Sequence, residues 1–209
     1  MILTPDFYCQ KEVLLIARQL LGKVLCTRLN GVLTSGFITE TEAYAGTTDK
    51  ACHAFGGRRT TRNETMYGLG GHAYVYLCYG MHHLFNVVTH QKEQPFAVLI
   101  RAVHPLDGLQ VMLQRRKHCS LKPNLSAGPG AMSQALGIHK IHNGLSLQGP
   151  EIWIEDRGIN IAAKDIQLSP RIGVAYAQEH ALLPYRFYIK EDPFVSKTKP
   201  LNIAQKKRP

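Results

Sequence analysis

Lys23-Val24-Leu25-Cys26-Thr27-Arg28-Leu29-Asn30-Gly31 opens the stretch that decides the fold, and Gly36-Phe37-Ile38-Thr39-Glu40-Thr41-Glu42-Ala43-Tyr44 closes it. Runs rich in valine, leucine, isoleucine and threonine suit a pleated, half-buried surface. Asn-Gly between two such runs is a hairpin signal, because both residues tolerate positive φ. The reading is therefore two strands, Lys23 to Leu29 and Gly36 to Tyr44, joined through Asn30-Gly31. Working outward, Gln10 to Leu21 reads as a helix, with Val13, Ala17 and Leu20 on one side and Gly22 as its stop. His72 to Tyr79, Leu84 to Thr89 and Phe96 to Ala102 read as strands. Leu106 to Lys117 reads as a helix whose basic end suits the helix dipole. Ser126-Ala127-Gly128-Pro129-Gly130 leads into a short helix, Ala131 to Leu136, stopped at Gly137. Ile152 to Glu155, Arg171 to Ala175 and Tyr185 to Ile189 read as late strands. Strands outnumber helices and no regular βαβ alternation appears. The predicted class is α+β, a single domain with a curved, mainly antiparallel β-sheet and surrounding helices. Residues 1–196 are assigned to that domain and residues 197–209 to a basic, mobile tail.

The chain has 209 residues, of which 44% are hydrophobic and 19% charged, an ordinary balance for one folded domain rather than a disordered chain. Its formal net charge of +10 attracts nucleic acid or an anionic membrane, and a surplus of that size also simply keeps a protein soluble. No run of about 18 apolar residues exists, so no membrane span is expected. The first residues, Met1-Ile2-Leu3-Thr4-Pro5-Asp6, lack the basic and apolar regions of a secretory signal. Five scattered cysteines without a C-x-x-C pair predict free thiols in a reduced, intracellular, cytoplasmic protein and no structural zinc.

Alternation along a strand puts Ile38, Glu40, Glu42 and Tyr44 on one face and Phe37, Thr39, Thr41 and Ala43 on the other. Two carboxylates on a core-facing surface need partners, so Glu40 and Glu42 read either as a solvated or salt-bridged strand face or as acids at the floor of a polar cleft. The same parity pairs Tyr74 with Tyr76, and Gly80 lets the chain turn so that Tyr79 points outward. Tyrosines on strands are commonly half-buried structural residues. Three of them near a carboxylate strand also make a stacking platform. His53 reads as a hydrogen-bonded structural residue or as a ring beside that platform. His82 and His83 point to opposite faces of a strand and chelate poorly, so no metal is expected. The loop Gly56-Gly57-Arg58-Arg59-Thr60-Thr61-Arg62-Asn63 is either a solvated basic loop or a phosphate contact, since arginine forks match phosphate and glycine lets main-chain N–H groups approach it. Gly68-Leu69-Gly70-Gly71 neither follows a strand nor opens a helix in dinucleotide-binding order, and no cofactor is expected.

Taken in order, these segments resemble the alkyladenine (3-methyladenine) DNA glycosylase family of base-excision repair, the type without a helix-hairpin-helix. The resemblance runs from about Thr4 to Ser196. It is carried by Glu40-Thr41-Glu42-Ala43-Tyr44, His53, Gly57-Arg58 with Arg62-Asn63, Tyr74-Val75-Tyr76 with Tyr79-Gly80-Met81, and Asn86. Arg101-Ala102, Gly128-Pro129-Gly130 with Gln134-Ala135-Leu136, and Arg171-Ile172-Gly173 with Arg186-Phe187-Tyr188 continue it. The resemblance implies that Glu42 activates a water, and that Arg101 and main chain near His53 hold that water. It implies that Tyr44, His53 and Tyr76 sandwich a flipped base, that Asn86 disfavours the exocyclic amine of guanine, and that Tyr79 wedges into the duplex. Met81, in the same segment as Tyr79, is assigned to the DNA-binding surface with Arg58 and Arg62. Many relatives carry lysine where this chain has Ala131, so one backbone contact is expected to be missing or moved. The implied partner is double-stranded DNA containing alkylated or deaminated purines, and the implied state is a monomer.

Flipping a nucleotide costs a few kcal/mol of unstacking, and stacking on aromatics returns about 1–3 kcal/mol per base. The matched pocket motifs contain no lysine, Lys50 being the nearest, so water rather than an amine is the expected nucleophile. Two other classes fit parts of the pattern. A non-catalytic nucleic-acid-binding module would use the same tyrosines and charge but has no use for Glu42 beside phosphates. A metal-dependent hydrolase is disfavoured by the histidine spacing.

Overall fold

The computed structural model describes residues 1–197, and residues 198–209, which hold most of the expected basic tail, lie outside the described residues. A one-turn helix α1 (Pro5–Tyr8) begins at a proline suited to a first helical position. Helix α2 (Val13–Gln19) follows, shorter at both ends than the sequence pattern implied, and buries Val13, Ile16 and Ala17. Strands β1 (Val24–Leu29) and β2 (Val32–Tyr44) form the expected hairpin. Its two turn residues, Asn30 and Gly31, have φ of 52° and 77°, the left-handed pair that a two-residue hairpin demands.

Strand β2 is 13 residues long and is the spine of the sheet. Along one edge it pairs with β5 (Phe96–Pro105). Along the other it pairs first with β1, through Phe37, and from Glu40 onward with β8 (Arg186–Ile189). Strands β3 (Ala73–Cys78) and β4 (His82–Thr89) form a second hairpin that adds to β5. Strand β6 (Ile152–Glu155) covers the outer edge of β1, and β7 (Ile166–Ser169) covers that of β8. Every pairing is antiparallel and the sheet curls into a half-barrel, as the α+β reading expected. Helices α3 (Leu109–Arg116) and α4 (Pro129–Leu136) pack on one side of it. No helix among the described residues is long and apolar enough to cross a membrane.

The sheet has two unlike faces. Ala73, Val75, Phe85, Val87, Val98 and Ile100 join Ile16, Leu20, Met132 and Leu136 in the main core. The alternate residues Tyr74, Tyr76, Asn86 and Arg101 point the other way, toward the loops between β2 and β3.

Two expectations are corrected. Arg171 to Ala175 is not a strand but a turn, because Gly173 takes a φ of 78° and the Arg171 side chain is pulled into a buried ion pair. The strand of that region is β7, which starts five residues earlier than Arg171. Ile38 does not share a face with Glu40. Register shifts on both sides of Glu40 break the alternation, so Ile38 and Ala43 enter the core while Glu40, Glu42 and Tyr44 face away from it.

Candidate active site

One row of paired residues crosses the sheet on the face away from the core. Tyr74 pairs with Asn86, Asn86 with Leu99, Leu99 with Glu42, and Glu42 with Arg186. The row brings together residues distant in sequence, and Arg101 and Tyr44 flank it on the neighbouring positions of β5 and β2.

Both carboxylates of β2 are fully buried. Glu40 Oε1 accepts from Arg101 Nε at 2.8 Å and from Arg186 Nε at 2.6 Å, and Oε2 accepts the Ser196 main-chain N–H at 2.7 Å. Burial acts to raise the Glu40 acid, but the two guanidinium groups outweigh it and hold the carboxyl below its usual range. Glu42 has a different set of partners. Its Oε1 accepts the Ile172 N–H at 2.7 Å and lies 3.3 Å from Arg101 Nη1, and its Oε2 accepts the Tyr44 hydroxyl at 2.9 Å. Two hydrogen bonds therefore use two of a carboxylate's roughly four acceptor positions, and Arg101 adds an ion pair. Glu42 lies behind the wall formed by Tyr44, Arg101 and Ile172 rather than on the lining itself.

The hollow in front of that wall has two connected parts. An inner chamber of about 40 Å³ is lined by Tyr44, Ala51, His53, Tyr74, Tyr76, Asn86 and Tyr176 among others. At about 10–15 Å³ per water this admits only a few waters. It shares Tyr44, His53, Tyr76 and Tyr176 with an open cleft of about 690 Å³, which Tyr79, Arg101, Ala131 and Ile172 also line. The rings of His53 and Tyr76 touch, with centroids 4.7 Å apart at 68°, so no slot exists between those two. They form one wall together, and Tyr44 lines the same chamber separately.

His53 is held by its Nδ1, 2.8 Å from the Tyr74 hydroxyl, and its main-chain carbonyl accepts from Asn63 Nδ2 at 3.1 Å. Burial, aided by Arg62 and Arg58, pushes its pKa down to about 4, so the ring is neutral at neutral pH. Burial raises the Tyr74 phenol, which stays protonated. Asn86 donates its side-chain N–H to Tyr74 O at 3.0 Å, which fixes the amide at the chamber lining.

Tyr79 sits at the tip of the β3–β4 hairpin. It has a φ of 50°, is followed by Gly80 at 70°, and is 87% exposed, with Met81 70% exposed beside it. Tyr79 lines the rim of the open cleft, and Met81 stands in water beside it. Of the loop arginines, Arg59 is spent on Glu64 and Glu93 and stacks on Tyr67. Arg62 lies over the Tyr76 ring at 5.0 Å, donates to Leu77 O, and with Arg58 lines a side hollow of about 390 Å³. Neither Arg58 nor Arg62 has a carboxylate partner among the described residues. His82 abuts Gly130 while His83 faces His139, and no group of three or more His, Cys, Asp or Glu side chains placed to hold a metal occurs among the described residues.

Several residues of the site carried no signal of their role in the sequence. Tyr176 lines both parts of the hollow and donates its hydroxyl to Ala51 O at 3.1 Å. It follows the turn that the sequence pattern made a strand. Asp49, Arg171 and Arg186 are buried charges whose partners lie far away in the chain. Arg171 and Arg186 stood in the matched motifs without an assigned role, and Asp49 stood in none.

A family model described as methylpurine-DNA glycosylase (MPG) matches residues 6–193. A protein of Chlamydia felis (strain Fe/C-56) is 48% identical over 190 residues, covering 90% of this chain and 96% of its own. A protein of Bacillus cereus (strain G9842) is 46% identical over 202 residues, covering 92% of this chain and 98% of its own. Both are named "Putative 3-methyladenine DNA glycosylase".

Proposed function

The chain belongs to the methylpurine-DNA glycosylase family, and on that premise we propose that it is a DNA-repair hydrolase that removes alkylated or deaminated purines by attack of a Glu42-activated water. The observation that carries this reading is the placing of Glu42. It is buried directly behind a chamber walled by flat rings, and it is bound by one distant guanidinium and two neutral donors rather than clamped by arginines.

The damaged nucleotide leaves the helix, and the exposed Tyr79 fills the gap with Met81 beside it. The base enters between Tyr44 and the joint His53–Tyr76 wall. The inner chamber is smaller than a purine needs, so the exposed Tyr176 gives way as the base seats, while Tyr44 stays on Glu42. Arg58 and Arg62 meet backbone phosphates from the side hollow, and the amide of Asn86 meets the edge of the base. A water oxygen bonds to C1′ as the bond from C1′ to the base nitrogen breaks, and that electron pair leaves with the base. Glu42 takes the proton of the water and stabilises positive charge on the sugar. A base that is already a cation leaves as a neutral molecule, and a neutral base such as hypoxanthine leaves as an anion that takes a proton from solvent water. The products are a free purine and an abasic site. Arg101, tied to Glu40, holds its Nη1 toward Glu42 and orients the carboxylate.

Water rather than an amine serves as nucleophile, which makes the enzyme a glycosylase without lyase activity. In support, no lysine among the described residues lines the chamber or the cleft, and Lys50 at the side hollow is engaged by Glu179 and Gln178, each at 2.7 Å.

The test is base release from duplexes carrying 3-methyladenine, 7-methylguanine, hypoxanthine or ethenoadenine at one position. The expected products are free base and an intact strand that breaks only after alkali. Failure to release any of these bases contradicts the reading, and a covalent adduct trapped by borohydride contradicts water as nucleophile.

A further inference from the structure

Behind the Glu42 wall, two loops far apart in the chain meet through one buried ion pair. Asp49 and Arg171 are 2% and 0% exposed. Arg171 Nη1 donates to Asp49 Oδ2 at 2.5 Å and Nη2 to Asp49 Oδ1 at 2.8 Å, a two-pronged fork. The remaining reach of the guanidinium goes to Ala43 O at 2.9 Å and His180 O at 3.2 Å. Asp49 in turn accepts the main-chain N–H groups of Ala45 and Ala51, each at 3.0 Å. The pair thus fastens the end of β2, the loop that leads to His53, and the turn that carries Tyr176.

Two consequences reach Glu42. The residue after Arg171 is Ile172, whose N–H is the 2.7 Å donor to Glu42 Oε1. The guanidinium also lies against the Tyr44 ring at 4.9 Å, and the Tyr44 hydroxyl is the donor to Glu42 Oε2. Both neutral donors to Glu42 are therefore set by a pair that lines neither the chamber nor the cleft.

We propose that Asp49 and Arg171 are positioning residues for base excision, which hold the Ile172 N–H and the Tyr44 hydroxyl on the Glu42 carboxylate and so aim it at the sugar. This rests on the reading of Glu42 as the water-activating group. A shift of about 1 Å in such a group costs about 100-fold in rate.

The test separates aim from stability. Arg171→Met alone leaves a buried, unpaired carboxylate and lowers the melting temperature. The paired variant Asp49→Asn/Arg171→Met removes both charges and regains much of that loss, as charge-free replacements of buried ion pairs do. Single-turnover excision of hypoxanthine at saturating protein is measured for each, with affinity for a duplex carrying a tetrahydrofuran abasic analogue in parallel. The paired variant is expected to bind the analogue within about threefold of wild type yet to excise about 100-fold more slowly. Excision that returns to within about threefold of wild type together with the melting temperature overturns the proposal. Should the paired variant not fold, Arg171→Lys keeps the charge but loses the fork. It is expected to fold and to excise at least about tenfold more slowly, and a wild-type rate overturns the proposal. A wild-type protein that releases no base contradicts the glycosylase reading itself, whereas an active wild type with fully active variants contradicts only the role of this pair.

Discussion

Glu40 and Glu42 are two residues apart on one strand, face the same way and are equally buried, yet their surroundings differ in kind. Glu40 meets two arginine Nε–H groups and a main-chain N–H at 2.6–2.8 Å. Glu42 meets a tyrosine hydroxyl, a main-chain N–H and one guanidinium at 3.3 Å. The first set neutralises a carboxylate and joins β2, β5, β8 and the segment after Phe194. The second holds a carboxylate in place while leaving it charge to give. Burial alone does not separate a structural acid from a reactive one. The separation lies in which donors surround it, and in whether those donors also line a hollow.

Substitutions that remove one side of this contrast should fail in different ways. Glu40→Gln leaves Arg186 buried without a matching charge and Arg101 with Glu42 alone, and it is expected to lower the unfolding free energy by about 3–5 kcal/mol in chemical denaturation. A loss under about 1 kcal/mol would make the Glu40 cluster ornamental.

The next effect concerns His53, which shares the chamber with the Glu42 wall. Its folded pKa, pushed down to about 4, lies below the ordinary value of 6.5. The unfolded chain therefore binds the proton first, and stability present above pH 6.5 is lost as pH falls toward 4, by about 3 kcal/mol for this one ring. Burial also lowers His90 and His142, so the wild-type curve falls through the same window for several reasons. The comparison that isolates His53 is His53→Asn, whose stability should fall less steeply between pH 6.5 and 4. Parallel curves would contradict a neutral, buried His53.

Tyr79→Ala removes an exposed side chain and should leave the melting temperature unchanged, while weakening binding to a lesion duplex by about 1–3 kcal/mol, the worth of one stacking contact. Unchanged affinity would remove Tyr79 as a wedge. The smallest effect belongs to Arg62, exposed over the Tyr76 ring. Arg62→Ala should lower the slope of log affinity against log salt by about one, and an unchanged slope would remove its phosphate contact.

Much of the architecture is readable before any coordinates, for local reasons. Asn30-Gly31 has one economical conformation, and alternation along β3, β4 and β5 follows from the pleat. The outward Tyr79 follows from Gly80 and the hairpin it closes. The same local rules mislead at Glu40, where register shifts reverse the parity that alternation assumes and carry Ile38 into the core. Arg171 to Ala175 has the apolar composition of a strand, but Gly173 takes a positive φ there and the distant Asp49 draws the Arg171 side chain inward. Tyr44, His53, Tyr76 and Asn86 line one chamber with Glu42 behind its wall, and this arrangement depends on loops whose partners lie more than a hundred residues away. The contact between His53 and Tyr76 that closes one expected slot is of the same long-range kind. No spacing in the chain foretells it.

The most direct measurement is single-turnover base release from one hypoxanthine duplex by Glu42→Gln and Glu40→Gln at saturating protein, with the melting temperature of each. Glu42→Gln is expected to bind the duplex and to excise about 100- to 10,000-fold more slowly than wild type. Glu40→Gln should show the larger fall in melting temperature and the smaller loss of rate. Near wild-type release by Glu42→Gln, or a greater rate loss in Glu40→Gln, would contradict the assignment of Glu42 as the group that activates water.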